Sequence, residues 1–436
     1  MPDRGKFLRD AAVLPLESVY GESEAHQLGE PDLKTDLLNL RVLQFAPRVP
    51  WPPDTGAKLR NYHLARVLSE KFRMTLLAFA EPERDASALK NVYERIVAVN
   101  RDAGYSFGKV LRGAIGSTPL PLLNYTTNEM KQALAALLSE QQFDLVQVES
   151  IHLMNYLPTI RAARKRPLVI CDWHNVESEL MRQYSESEGN FARRAYARRT
   201  ARLMNEAEQE ALREFDAHIV VSEEDAERLH RMNSTARVFV IENGVDPAYY
   251  GDTQDASNTK NRIIFVGSMD YHANIDAAVN FARNVWPILH DKKPELTFTI
   301  VGRDPASAVR ELSSIAGLEV TGSVEDVRPF YHEAIAAVVP LRVGGGSRLK
   351  ILEAMAAGAP VVSTTIGAEG LKVGDGENIL LADNDQDLVD KIVIVIDDEN
   401  LRTRIVAAAR ALIAERYDWS KLGVTLTSVY TKLLSN

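Results

Sequence analysis

The chain has 436 residues, 45% hydrophobic and 25% charged, with a net charge of −9 and one cysteine. That length exceeds what one core usually holds, about 250–300 residues, so two or three domains are expected. The acidic balance argues against a general nucleic-acid binder, and a single Cys171 excludes an intrachain disulfide or a cysteine zinc cluster. That count also fits a reducing cytoplasm.

Residues 1–38 form a polar leader without a secretory apolar core, and no run of about 18 apolar residues occurs anywhere in the sequence. From there short apolar runs alternate with longer amphipathic ones. "LRVLQFAP" (40–47) reads as a buried strand and "AKLRNYHLARVLSEKF" as a helix with Leu64, Val67 and Leu68 on one face. "RMTLLAFA" reads as a strand, "ALKNVYERI" as a helix and "RIVAVN" as a strand. "FDLVQVES", "PLVICDWHN", "FDAHIVVSE" and "ARVFVIENG" continue the series, and Cys171 lies in an apolar run as a small buried residue. Strands alternating with helices predict a parallel sheet covered on both faces.

Residues 244–262 are polar and turn-rich, a plausible linker, and the rhythm then restarts. "IIFVGSM", the helix "NIDAAVNFARNVWPIL", "LTFTIVGRDP", "AIAAVVPLRV", a helix over 348–357 and "APVVSTT" predict a second open α/β sheet. The fold class is therefore α/β, two doubly wound parallel-sheet domains facing a cleft. The expected division is 39–243 with 418–436, and 244–417. Ligands of such sheets bind at the carboxyl ends of the strands. Neither half has GxGxxG or GxxxxGK[ST] where a dehydrogenase or P-loop enzyme needs it.

The strand "AIAAVVPLRV" is followed by Gly344, Gly345 and Gly346, then Ser347 as an expected N-cap. Free amides and the helix dipole there favour an anion, and the glycines let it approach the backbone. Arg348 and Lys350 add positive charge, and Glu353 offers two acceptors suited to a vicinal diol such as ribose. The pattern suggests a nucleoside diphosphate. The plainer account is a tight turn with Lys350 and Glu353 as a solvated ion pair.

"RLKILEAMAAGAPVVSTTIGAEGL" resembles the donor-site segment of glycosyltransferase family 4, retaining enzymes of the two-domain GT-B fold. "VIENGVD", "IIFVGSM", "TIVGRDP", "LEVTGSVEDVRPFY" and "HIVVSEEDAERL" extend the likeness in order across residues 40–435. The resemblance implies that Glu353 binds ribose, that the preceding loop cradles the diphosphate, and that Gly302, Arg303 and Val324 lie near the base. It sets Gly56 opposite the donor phosphates, matches His174 to a histidine that contacts the transferred sugar or the acceptor, and implies a C-terminal helix crossing back. Two positions depart from it. Gly345 stands where a first Glu is frequent, and after the "VG" that ends in Gly267, a donor-side candidate with Ser268 and Asn274, the residues Ser268, Asp270, His272 and Asn274 occupy a stretch that commonly holds Arg and Lys. This resembles an exopolysaccharide-assembly branch.

His174 and Glu177 should face the cleft from the end of "PLVICDWHN", with Asp172 and Glu149 as weaker acceptor-side candidates and Trp51 beside the Gly56 loop. A lone histidine is more often structural, and solvated loop carboxylates are the default. No Asp-x-Asp stands where a metal would hold a diphosphate, so no metal or other cofactor is expected. "FARRAYARRTARLMNEAEQEALREF" places Arg193, Arg194, Arg198, Arg199 and Arg202 on one helix, either to meet anionic lipid or a polyprenyl-diphosphate acceptor or to pair with Glu206, Glu208 and Glu210.

The resulting expectation is a retaining, metal-independent, cytoplasmic transferase. It would move sugar from a nucleotide-sugar donor to a hydroxyl acceptor, with a lipid-linked glycan and peripheral membrane contact among the candidates and nucleic acid excluded. Arg348 and Lys350 would stabilise the leaving diphosphate. The rivals are an inactive nucleotide-binding scaffold and a sugar-nucleotide epimerase.

Overall fold

The computed structural model describes residues 37–80, 87–100, 113, 116–187, 189–251, 260–343 and 348–435. Residues 1–36 of the leader and 252–259 of the linker lie outside the described residues, as do Gly344, Gly345, Gly346 and Ser347.

The first sheet contains β1 (Arg41–Ala46), β2 (Arg73–Phe79), β3 (Arg95–Val99), β4 (Leu145–Glu149), β5 (Leu168–Asp172), β6 (Ala217–Val220) and β7 (Val238–Val240). Their order is β3-β2-β1-β4-β5-β6-β7, and every pairing is parallel. The second contains β8 (Lys260–Val266), β9 (Thr297–Val301), β10 (Leu318–Gly322), β11 (Ala334–Val339), β12 (Val361–Ser363) and β13 (Leu380–Leu381). It runs β10-β9-β8-β11-β12-β13, again wholly parallel. Each order reverses direction beside its first strand, so each sheet opens a crevice at its carboxyl edge.

The continuous apolar runs are the reason for this arrangement. All five residues of β4 and all six of β11 are buried, as required of strands covered by helices on both faces. Cys171, in β5, is buried, and its thiol is pushed well above its ordinary value by that burial. One expected helix is much shorter than its pattern: "ALKNVYERI" yields only the 3₁₀ turn Ser87–Asn91. Leu89, Val92 and Tyr93 still reach the core, so burial is met without a full helix.

The last helix, Trp419–Leu434, packs back on the helix Gly56–Leu68 of the first domain. The contact is close: a Cβ on Gly423 would lie 2.4 Å from that of Val67, and the His63 ring stacks on Trp419 at 5.6 Å. The last helix thus crosses back to the first sheet's side of the molecule.

Candidate functional site

The second-domain wall is built where β11 feeds the helix Leu349–Ala357. Arg348, not Ser347, holds the position before the helix, and its side chain caps nothing there. Lys350 and Glu353 sit one turn apart. Lys350 Nζ donates to Asn274 Oδ1 at 2.6 Å and lies 4.8 Å from the centre of the Phe265 ring. Asn274 is turned by its own Nδ2, which donates to the Ser268 carbonyl at 2.9 Å. The surrounding protein strips Lys350 of water and lowers its pKa to about 7, Arg348 adding repulsion and Glu353 opposing.

Glu353 accepts from the Tyr331 hydroxyl at 3.3 Å and from that of Tyr250. Burial raises its pKa, while the two hydroxyls and Lys350 pull the other way. The solvated ion pair is thereby replaced by two desolvated groups held by neutral partners.

Gly267 and Gly302 each have a packing reason for lacking a side chain. A Cβ on Gly267 would come 2.8 Å from Asn274 Nδ2 and 3.2 Å from Lys350 Nζ, and one on Gly302 would be 1.6 Å from the Gly267 carbonyl oxygen. The ends of β8 and β9 can pinch together only without side chains there. Arg303 donates from Nε to Ser268 Oγ at 3.0 Å, and half-buried Val324 follows β10 nearby in sequence. Arg348 is turned toward Glu369, donating from Nε to its carbonyl at 3.2 Å and pairing with Oε2 at 3.1 Å.

On the first-domain wall, Glu149 and Asp172 end β4 and β5 and are fully buried. Arg60, from the helix Gly56–Leu68, is 1% exposed and holds Asp172 by a fork: Nε to Oδ2 at 3.0 Å and Nη2 to Oδ1 at 3.2 Å. Its Nη1 donates to the Glu242 carbonyl at 3.0 Å. Glu149 Oε1 accepts from Gln44 at 2.6 Å and Gln147 at 2.8 Å. Its other oxygen, Oε2, stands 3.2 Å from His174 Nε2. Neither carboxylate is a solvated loop group. Both are buried, and His174, half-buried, is the most accessible of the three.

Glu177 opens the helix Glu177–Ser187 and stands 3.8 Å from His152 Nε2. Burial raises Glu177 to about 7, with His174 opposing, and lowers His152 to about 4. Gly56 begins the helix capped by Thr55, whose hydroxyl accepts from Lys58 N. Trp51 packs on Tyr62 with ring centres 5.2 Å apart.

The walls face each other closely. The Tyr184 ring meets His272 edge-on at 5.5 Å, and Arg228 reaches Glu369 at 3.3 Å. The Tyr271 phenol, raised chiefly by burial, feels Arg348 from its own domain and Glu177 from the other. A cavity of about 80 Å³ lies alongside, lined from both domains by Glu179, Arg228, Arg348 and Glu369 among others.

Glu149, Asp172 and His174 bring one ligand atom each within 4.8 Å of one another, close enough for a cation. Arg60 already supplies positive charge to Asp172, so the donor set is occupied by protein partners.

Sequence reasoning did not find Arg60, Tyr250, Tyr331 or Glu369. Arg60 sits at an ordinary helical spacing, and only the fold brings it under Asp172, 112 positions later. Tyr331 lay within a motif already noted, but nothing in its pattern pointed to Glu353.

Two family models match the chain: Glycosyltransferase Family 4 over residues 55–249 and Glycosyl transferases group 1 over residues 260–398. A glycogen synthase of Mycobacterium tuberculosis is 26% identical over 242 residues, 53% of this chain and 57% of that protein. Matches span roughly half the length of the curated relatives, 43%, 55% and 57% in three cases. The solved sucrose-phosphate synthase of Thermosynechococcus elongatus aligns over 91% of this chain and 99% of its own at TM-score 0.67 and 16% identity. Anabaena HepE in complex with UDP and glucose aligns over 90% and 100% at TM-score 0.61 and 17% identity. These two share the fold, two parallel-sheet domains of GT-B type.

Proposed function

The chain belongs to the family 4, group 1 glycosyltransferases, and from that premise we propose that it moves a sugar from a nucleoside diphosphate sugar to a hydroxyl acceptor with retention at the anomeric carbon. The observation that carries this reading is the helix after β11, which brings Lys350 and Glu353 together as one desolvated cation held by Asn274 and one desolvated acceptor held by Tyr250 and Tyr331.

Glu353 accepts from the ribose hydroxyls. Lys350 and the start of its helix draw the diphosphate, and Arg348 adds charge when it turns from Glu369. The bond from the anomeric carbon to the phosphate oxygen breaks, and the bond to the acceptor oxygen forms on the same face. The acceptor's proton goes to the leaving diphosphate. His174, fixed from below by Glu149, positions the sugar or the acceptor. The charge that develops on the leaving group is met by protein groups, so the reaction runs without metal. The acceptor belongs to polysaccharide or glycolipid assembly in the cytoplasm; HepE, in its complex with UDP and glucose, and the glycogen synthase match support a nucleotide-sugar donor and a glycan product.

The test is slow donor hydrolysis with EDTA present. UDP-, GDP- and ADP-sugars are incubated with the protein, and the anomer first released is read by NMR. Release of one nucleotide, with the donor's anomeric configuration kept, is expected. Binding without any release would favour a nucleotide-binding scaffold, and a changed sugar still joined to nucleotide would favour an epimerase.

A further inference from the structure

The helix Glu177–Ser187 leaves the acceptor wall and is followed by the helix Phe191–Glu214, which packs along it. The base of this hairpin is pinned by Glu208, fully buried, which accepts from the Ser178 amide at 2.9 Å and from the Ser178 hydroxyl. Glu208 is therefore not a partner for the arginines. Arg202 pairs with Glu206 at 3.0 Å, and Arg199 donates to the carbonyls of Gly113 and Gly116. Arg193 and Arg198 are exposed and have no carboxylate partner among the described residues.

The tip of the hairpin carries Phe191, 83% exposed, and Tyr196, 39% exposed. The stretch 191–202 holds five arginines and no acidic residue, in a chain of net charge −9. Helical geometry puts Phe191, Ala195, Arg198 and Arg202 on one stripe, opposite the buried Ala197, Thr200, Met204 and Ala211. Arg193 lies in the first turn, where the helix dipole disfavours cations and which contains no acidic residue. Helix stability therefore does not explain the arginines. An exposed aromatic ring at the rim of unpaired guanidiniums is the composition that lies on an anionic interface.

We infer that the hairpin tip docks on an anionic lipid bilayer, with Phe191 and Arg198 on the outward stripe and the exposed Arg193 and Tyr196 off that stripe, around the start of the helix. The inference rests on the proposed function only in what it adds to it: the docked face begins at the far end of a helix that opens at Glu177. Eleven residues at the helical rise set that distance at about 16 Å. An acceptor anchored in the bilayer then needs a headgroup of that length to reach His174.

The test uses the full chain and vesicles of phosphatidylcholine with and without phosphatidylglycerol, with flotation as the readout. Binding only to the phosphatidylglycerol vesicles, weakening as salt rises, is expected. Arg193→Glu/Arg198→Glu should lower partitioning at least about tenfold, and Phe191→Ser should lower it without changing its salt dependence. The charge-matched Lys292→Glu/Lys293→Glu, on the second domain, should leave it unchanged. Absence of vesicle binding, or equal loss in both charge-reversed proteins, overturns the inference; the first outcome would leave an acidic protein as the partner to seek. Glu353→Ala should float as the unaltered protein does, so vesicle docking and donor chemistry fail separately.

Discussion

His174 Nε2 stands 3.2 Å from Glu149 Oε2, and the carboxylate's other oxygen is fixed by Gln44 and Gln147. The half-buried histidine is thus seated on a buried, fully bonded carboxylate. Glu149→Gln keeps the volume and removes the charge, so the imidazole loses its fixed direction. Transfer should slow by about 10²-fold with donor affinity unchanged, as small displacements of a positioning group do. Separate measurement of turnover and of nucleotide affinity checks this; equal loss in both would show a damaged fold instead.

Beneath the same histidine, Arg60 neutralises Asp172 where both side chains are almost wholly buried. Removing one partner leaves the other charged and desolvated. Arg60→Met should cost about 3–5 kcal/mol of stability by denaturant unfolding, while Arg60→Met/Asp172→Leu should recover much of it.

Lys350 ties donor binding to pH. Its folded pKa of about 7 lies below the ordinary 10.5, so between those values the folded chain holds fewer protons than the unfolded one. Stability contributed by this group therefore rises with pH across that window. A bound diphosphate favours the ammonium and reverses the preference. Nucleotide affinity should fall as pH rises through about 7, and at about pH 8 binding should take up a proton from solvent. Calorimetry in two buffers of different ionisation heat measures that proton, and Lys350→Arg should abolish it.

Gly302 and Gly322 make a paired test of the pinched strand ends. A Cβ on Gly322 meets nothing within 4 Å, so Gly322→Ala should cost only the left-handed backbone, about 1–2 kcal/mol. Gly302→Ala must part the ends of β8 and β9 and should cost more than about 3 kcal/mol, weakening donor binding with it. Denaturation midpoints and nucleotide affinity of the two variants separate backbone strain from strand closure.

The sheets were legible because buried parallel strands write themselves as apolar runs, as "LVQVE" and "AIAAVV" do. Lys350 and Glu353 were legible because helical spacing places them one turn apart after a strand end. Their desolvation was not, since it comes from Phe265, Asn274, Tyr250 and Tyr331, four residues drawn from elsewhere in the chain. Glu149 and Asp172 read as exposed strand-end carboxylates because the pattern cannot show a helix arginine folding beneath them. The "ALKNVYERI" helix failed for a simpler reason: a few buried side chains satisfied the core before a second turn was needed.

Binding of UDP, GDP and ADP to the protein and to Glu353→Ala, by calorimetry with EDTA present, tests the central claim most directly. One nucleotide should bind without metal, and Glu353→Ala, folded by thermal melting, should lose it. Equal binding by both proteins, or binding that vanishes in EDTA, would contradict the account.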